Sequence, residues 1–194
     1  MNNSKSIAAL MVVIAVALCA SAREASAQPY VTAAAGISQH NIECSSLQEC
    51  DNTGVAFKVL GGFRLGSPLA VEGVYFDFGE PLKVSNVSED AYRTTALGAG
   101  VALHGSVSSL TLTARAGVAR AAVDRSITFA ALRTDALKFS ELTPYGGVAL
   151  GYRFTRYVAL AVALDGMRSK WELDNLTGTT WISTAATVGL TIGR

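Results

Sequence analysis

Four ionisable residues pose the chemical question in this sequence: Lys58, Glu72, Arg115 and Asp165. Each sits in a stretch that alternates apolar with small residues, and each shares the parity of the small residues rather than that of Val and Leu. Two cations and two anions on the inward faces of strands must neutralise one another if that interior is narrow, because an unpaired buried ion is strongly destabilising. Such a set can act as a gate on a narrow ion path or as a neutralised plug. In an interior just wide enough for side chains, one connected network serving as a plug is the expectation.

The other candidates carry less. Ser38 and His40 lie two residues apart at a strand end and have the types of a nucleophile and a base, but no third group can be identified, so no catalytic residue is assigned. His104 is the only other histidine and lies a strand length away from the level of His40, so no two-histidine metal site is expected. Arg64 and Arg153 share the inward parity at strand ends, where water is their expected neighbour. Cys44 and Cys50, six positions apart in a polar connection, are expected to form a disulfide in an oxidising compartment; a metal site there would lack partners, with only His40 close by. The 18 glycines fall at strand positions such as Gly61, Gly62, Gly98 and Gly100, and none opens a helix. No phosphate-binding loop results, and no cofactor is expected.

The elements that must hold these residues begin after a leader. Residues 1–27 read as a signal peptide: Lys5 supplies the positive start, residues 7–18 an apolar core, and Ala25-Ser26-Ala27 a small-residue cleavage site before Gln28. Ala20-Ser21-Ala22 offers a second cut, and the apolar run is too short to span a bilayer. Residues 28–194 have the size of one domain. Without Lys5, Arg23 and Glu24 their basic and acidic residues balance, which argues against nucleic acid or a polyanion as a partner.

The clearest pattern lies at 144–170, where Val158, Leu160, Val162 and Leu164 oppose Tyr157, Ala159, Ala161, Ala163 and Asp165. Val148, Leu150, Tyr152 and Phe154 likewise oppose Tyr145, Gly147, Ala149, Gly151 and Arg153, with a tight turn predicted at Thr155 and Arg156. A soluble sheet would carry Lys, Glu, Thr and Gln on the face opposite Val and Leu. Ala and Gly there point to a small-residue interior and an apolar exterior in lipid.

Six further strands are predicted at about 30–38, 54–64, 69–79, 93–105, 110–120 and 179–192. Their connections alternate long and short, with long ones at 39–53, 80–92, 121–139 and 169–178. Ile127-Thr128-Phe129 offers a continuation of the fifth strand above the membrane. The outward Asp77 must lie near a membrane boundary, and Tyr30, Phe63, Phe76, Tyr145, Tyr152, Phe154 and Tyr157 fall where interfacial girdles would place aromatic residues. The fold class is therefore all-β: an eight-stranded antiparallel up-and-down transmembrane barrel with both termini in the periplasm.

The stretches PYGGVALGYRFTRYVALAVALD, GFRLGSPLAVEGVYFDFG and YVTAAAGIS resemble the outer-membrane β-barrel family that includes the OmpA transmembrane domain and opacity-type proteins. The resemblance covers the mature chain and implies a fold and a place in the outer membrane. The chain departs from that family at its end, TVGLTIGR, where an aromatic residue usually closes the last strand. Small barrels of this kind also include lipid A deacylases and acyltransferases that use His and Ser near the outer rim, the level of Ser38 and His40.

Three functions are thus carried forward. The first is a non-enzymatic, monomeric barrel with an envelope-integrity or surface-interaction role, presenting its four long connections to host or surface ligands. The second is a channel for small solutes or apolar molecules, and the third a lipid-modifying enzyme. A soluble, lipocalin-like barrel would instead reverse the faces and place Val and Leu inside.

Overall fold

The computed structural model describes residues 28–41, 49–65, 68–84, 88–129, 132–173 and 176–193. The expected signal segment 1–27 and Cys44 lie outside the described residues, as does the side chain of Cys50. The expected disulfide is therefore outside them too.

The described chain is strand throughout, connected by turns: β1 (Gln28–His40), β2 (Glu49–Asp51), β3 (Thr53–Arg64), β4 (Leu69–Asp77), β5 (Leu82–Val84), β6 (Ser88–Val107), β7 (Leu110–Phe129), β8 (Leu132–Arg153), β9 (Val158–Leu173) and β10 (Leu176–Gly193). Eight of these form an antiparallel ring in the order β1, β3, β4, β6, β7, β8, β9, β10. The ring closes where β10 pairs with β1, from Tyr30 opposite Gly193 to His40 opposite Ser183. Closure leaves no unpaired strand edge around the wall, the condition for placing backbone N–H and C=O groups in hydrocarbon.

The alternation read from the sequence is the alternation of the wall. Outward Val59, Val101, Leu150 and Leu164 are 50 to 60% exposed, and residues of like parity such as Val31, Leu97, Val118 and Val188 are exposed as well. So large and continuous an apolar surface is the mark of a lipid-facing wall. The lipocalin-like alternative, with Val and Leu inside, is overturned by the same observation.

Inside, small residues such as Ala56, Ala70, Ala96, Ala102, Ala119 and Ala185 are buried together with a few large ones, Tyr30, Leu60, Phe76, Phe78, Tyr145 and Met167. Glycines make the room. Gly100, Gly117 and Tyr145 lie side by side across β6, β7 and β8, and a Cβ at Gly100 or Gly117 would come within 2.6 Å of the Tyr145 side chain. Tyr30, Phe76 and Tyr145 thus point inward and cannot serve in an interfacial girdle, whereas Tyr152 and Phe154 are exposed outside and Tyr157 lines the turn-side mouth of the lumen. Proximity to a strand end suggested a girdle for these and for Phe63, seven in all, but parity decides which side of the wall a ring occupies.

At one end the connections are tight. β6 and β7 join through Ser108, at φ 56°, and Ser109, between the paired Val107 and Leu110. The β8–β9 turn spans four residues rather than the two expected, because Thr155 Oγ1 accepts hydrogen bonds from the N–H groups of Tyr157 and Val158 at 3.1 and 3.0 Å. At the other end the strands run on. β7 and β8 stay paired out to Phe129 and Leu132, so most of 121–139, expected as a connection, is strand, as are parts of 39–53, 80–92 and 169–178. Above the lipid both faces of a hairpin meet water, so backbone pairing persists while the apolar alternation that reveals a strand disappears.

Among the described residues β8 pairs with β9 only as far as Tyr145 opposite Met167. Just beyond that level Thr143 Oγ1 donates to the Arg168 carbonyl, after which β6–β7–β8 and β9–β10 continue without further strand pairing between them among the described residues. The outward Asp77 marks the lipid boundary on β4, where Arg93 Nη2 lies 2.5 Å from its Oδ2.

Replacing Gly117 with Val should lower stability by about 1–3 kcal/mol through overpacking against Tyr145. The urea midpoint for loss of the compact, heat-modifiable gel band would report it, with Ala116→Val on the lipid face as the control. Equal midpoints for the two variants would contradict the inward packing of Tyr145.

Candidate functional site

At mid-height the wall turns four charged side chains inward. β3 supplies Lys58, β4 Glu72, β7 Arg115 and β9 Asp165, each flanked on its own strand by lipid-facing neighbours. Their side chains are between 0 and 7% exposed. Lys58 Nζ donates to Asp165 Oδ2, and Arg115 Nη1 donates to Asp165 Oδ1 at 3.3 Å. Arg115 Nε lies 3.2 Å from Glu72 Oε2, an ion pair without hydrogen-bond alignment, since neither atom has a hydrogen-bond partner. The four form one chain, Lys58–Asp165–Arg115–Glu72, with no net charge.

Neighbours fix the chain in place. Lys58 Nζ lies 5.9 Å from the centre of the Phe76 ring, within reach of its negative face. Gly147 stands opposite Asp165 on β8, where a Cβ would collide with the carboxylate. Tyr30 donates its hydroxyl proton to Glu72 Oε1 at 2.5 Å and lies 3.2 Å from His104 Nε2. That proton is used once, so in the neutral His104 ring Nε2 donates to the Tyr30 oxygen. His104 Nδ1 then accepts from Thr113 Oγ1 at 2.9 Å. Sequence reading missed Tyr30, Thr113 and His104 as members of this set. Their inward parity was available, and so was the inward Gly62, whose absent Cβ would lie 2.8 Å from the Tyr30 ring.

Towards the projecting strands a second polar group seals the interior. Ser38, His40 and Ser183 are each 2% exposed. Ser38 donates to the Phe78 carbonyl. His40 Nε2 lies 3.1 Å from the same oxygen, and a carbonyl can only accept, so Nε2 carries the hydrogen. His40 Nδ1 therefore accepts from Ser183 Oγ at 3.0 Å. The hydroxyl paired with His40 is thus that of Ser183; Ser38, the expected neighbour, is held by the backbone. A serine donating to a histidine that is oriented by a third acceptor is the geometry of an activated nucleophile, but here all its members are enclosed by the wall.

Towards the tight turns the interior opens. A cavity of about 320 Å³ runs from the turn residues Pro68, Ser106 and Arg156 inward to Lys58 and Arg115. Arg64 and Arg153, expected at strand ends in water, line it together with His104. The lumen therefore consists of an enclosed outer half, a charged plug and an open basic half.

No family model and no curated protein matches the sequence. Solved structures do match in fold. Neisserial surface protein A superposes with a TM-score of 0.59 at 16% identity, over 84% of this chain and 96% of that one. Ail, the attachment invasion locus protein of Yersinia pestis, gives 0.56 at 9% identity, over 86% and 98% of the two chains. The N-terminal β-barrel domain of Pseudomonas aeruginosa OprF gives 0.52 at 14% identity, over 86% and 97%. At these identities the likeness is one of fold, that of the small outer-membrane barrels.

Truncating Asp165 to Ala strands Lys58 and removes one of the two partners of Arg115, and should cost about 3–5 kcal/mol. A Lys58→Met, Asp165→Leu double variant keeps the Arg115–Glu72 pair and should recover much of that loss. Urea unfolding in bilayers would test the pair, and an Asp165→Ala midpoint equal to that of the unaltered chain would contradict the network.

Proposed function

We propose that this eight-stranded barrel of the outer-membrane type is a closed, non-enzymatic anchor that presents its projecting strands to ligands at the cell surface and contributes to the integrity of the envelope. The observation that carries the reading is strand length. A tilted strand crosses the hydrocarbon in about 10 residues. β8 has 22 residues and β6 and β7 have 20 each, and the excess lies at the end away from the tight turns. A barrel that only reinforced the membrane would have no use for paired strands standing well clear of it.

Two further points support this reading over the alternatives. The charge network, with Leu60, Val74 and Phe76 buried around it, fills the lumen at mid-height, so a solute entering from the turn end meets side chains rather than a path. The Ser183–His40 pair faces the enclosed interior, where a lipid acyl chain has no access. Among proteins of like fold, Ail has been crystallised in complex with the heparin analogue sucrose octasulfate, an example of a small barrel holding a polyanionic sugar.

The test removes the projection while keeping the wall. A chain lacking residues 126–135, joined by a two-residue turn, should still migrate as a folded, heat-modifiable barrel but lose retention on immobilised heparin and matrix proteins. The intact chain should show no stable open channel in planar bilayers. Unchanged retention together with a stable conductance that Lys58→Met alters would overturn the proposal in favour of transport.

A further inference from the structure

The open half of the lumen has a composition that its position does not explain. Its lining includes Lys58, Arg64, Arg115, Arg153 and Arg156, and no Asp or Glu side chain among the described residues. Lys58 and Arg115 are balanced by Asp165 and Glu72 in the plug. Arg64, Arg153 and Arg156 have no carboxylate partner among the described residues, so three positive charges share one mouth. Walls of low dielectric around such a mouth focus its field and raise the local concentration of anions.

The guanidinium groups are also held in position. Arg64 lies over the Tyr30 ring, 5.3 Å from its centre, and its buried Nε has no acceptor in the protein. Arg153 is anchored by one bond, Nη2 to the Ser108 carbonyl at 2.7 Å, which leaves most of its donors unused. Arg156 lies over the Tyr157 ring at 5.4 Å. Planar forks restrained in this way match the paired oxygens of a phosphate or carboxylate, and less entropy is lost on binding than with free lysines. The cavity of about 320 Å³ falls at the small end of the range for small-molecule sites, roughly 300–1,000 Å³.

We propose that the turn-side half of the lumen is a binding site for a small oxyanion of the phosphate class, held by Arg64 and Arg153 at the mouth with Arg156 as a third cation. The same chemistry is offered by a free phosphorylated solute and by the headgroup of a phospholipid bordering the barrel. The site lies on the far side of the plug from the projecting strands and does not depend on what those strands bind.

The full chain, purified from membranes in a phosphate-free maltoside detergent, is titrated calorimetrically with inorganic phosphate and then with glycerol 3-phosphate. Saturable binding is expected, weakened at least tenfold by Arg64→Gln and by Arg153→Gln, and unchanged by Arg93→Gln at the opposite end of the barrel. Arg153 is exposed at the end of β8, so its variant reports on the site even if Arg64→Gln impairs folding. Repeating the titration in phospholipid nanodiscs separates the two sources: binding of equal strength assigns the site to a free solute, and binding suppressed by the lipid assigns it to a headgroup. Absence of saturable binding in detergent, or equal affinity of Arg153→Gln and the unaltered chain, would overturn the proposal.

Discussion

The structure turns on a single carboxylate. Asp165 accepts from Lys58 on one oxygen and from Arg115 on the other, and through Arg115 it is linked to Glu72. In a ring of eight strands every inward side chain at one height competes for the same small volume, and water is too scarce to screen a charge. The four ions must therefore be present in balance and in contact. That requirement spreads outward: Gly147 must be glycine to admit the Asp165 carboxylate, and Tyr30 must reach across Gly62 to occupy the second oxygen of Glu72. Because Tyr30 sits on the seam where β1 meets β10, the electrostatics of the plug and the closure of the ring share a residue.

The exterior obeys a simpler rule, and the two rules together explain the composition. Lipid asks only that outward side chains be apolar, so Val, Leu and Ile recur there with little regard for shape. The interior asks for fit, which is why Ala and Gly dominate it and why the Tyr30 and Tyr145 rings lie against Gly62 and against Gly100 and Gly117, positions without a Cβ. Where both demands end, at the lipid boundary, Asp77 and Arg93 appear as an outward ion pair, with Arg93 mostly in water.

These rules decide what could be read from the chain. The eight wall segments were legible because one face meets lipid and the other a packed lumen, a contrast that parity reports directly at Val158–Ala163 or Leu97–Ala102. Beyond the lipid the contrast vanishes, and the outer halves of β7 and β8 read as connection although their backbones remain paired. Parity also placed Lys58, Glu72, Arg115 and Asp165 on one side of the wall. It could not say who would touch whom, because β3 and β9 are not neighbours in the ring and their relative heights depend on the stagger built up strand by strand. The same limit hid the pairing of His40 with Ser183, residues far apart in sequence that face each other only once the ring has closed.

The closed ring divides the lumen unequally, and the inequality bears on what the interior is for. On the outer side the buried Ser38, His40 and Ser183 are satisfied by one another and by the Phe78 carbonyl, so these groups serve structure. On the turn side the polar groups outnumber their partners, and the surplus is of one sign. A protein that needed only to fill its interior had the outer solution at hand, with serines and a histidine that pair internally. Arginines at a mouth repel one another and favour an open cavity over a sealed one. Their presence favours the proposed oxyanion site over a purely structural role, and the plug above them favours binding over passage.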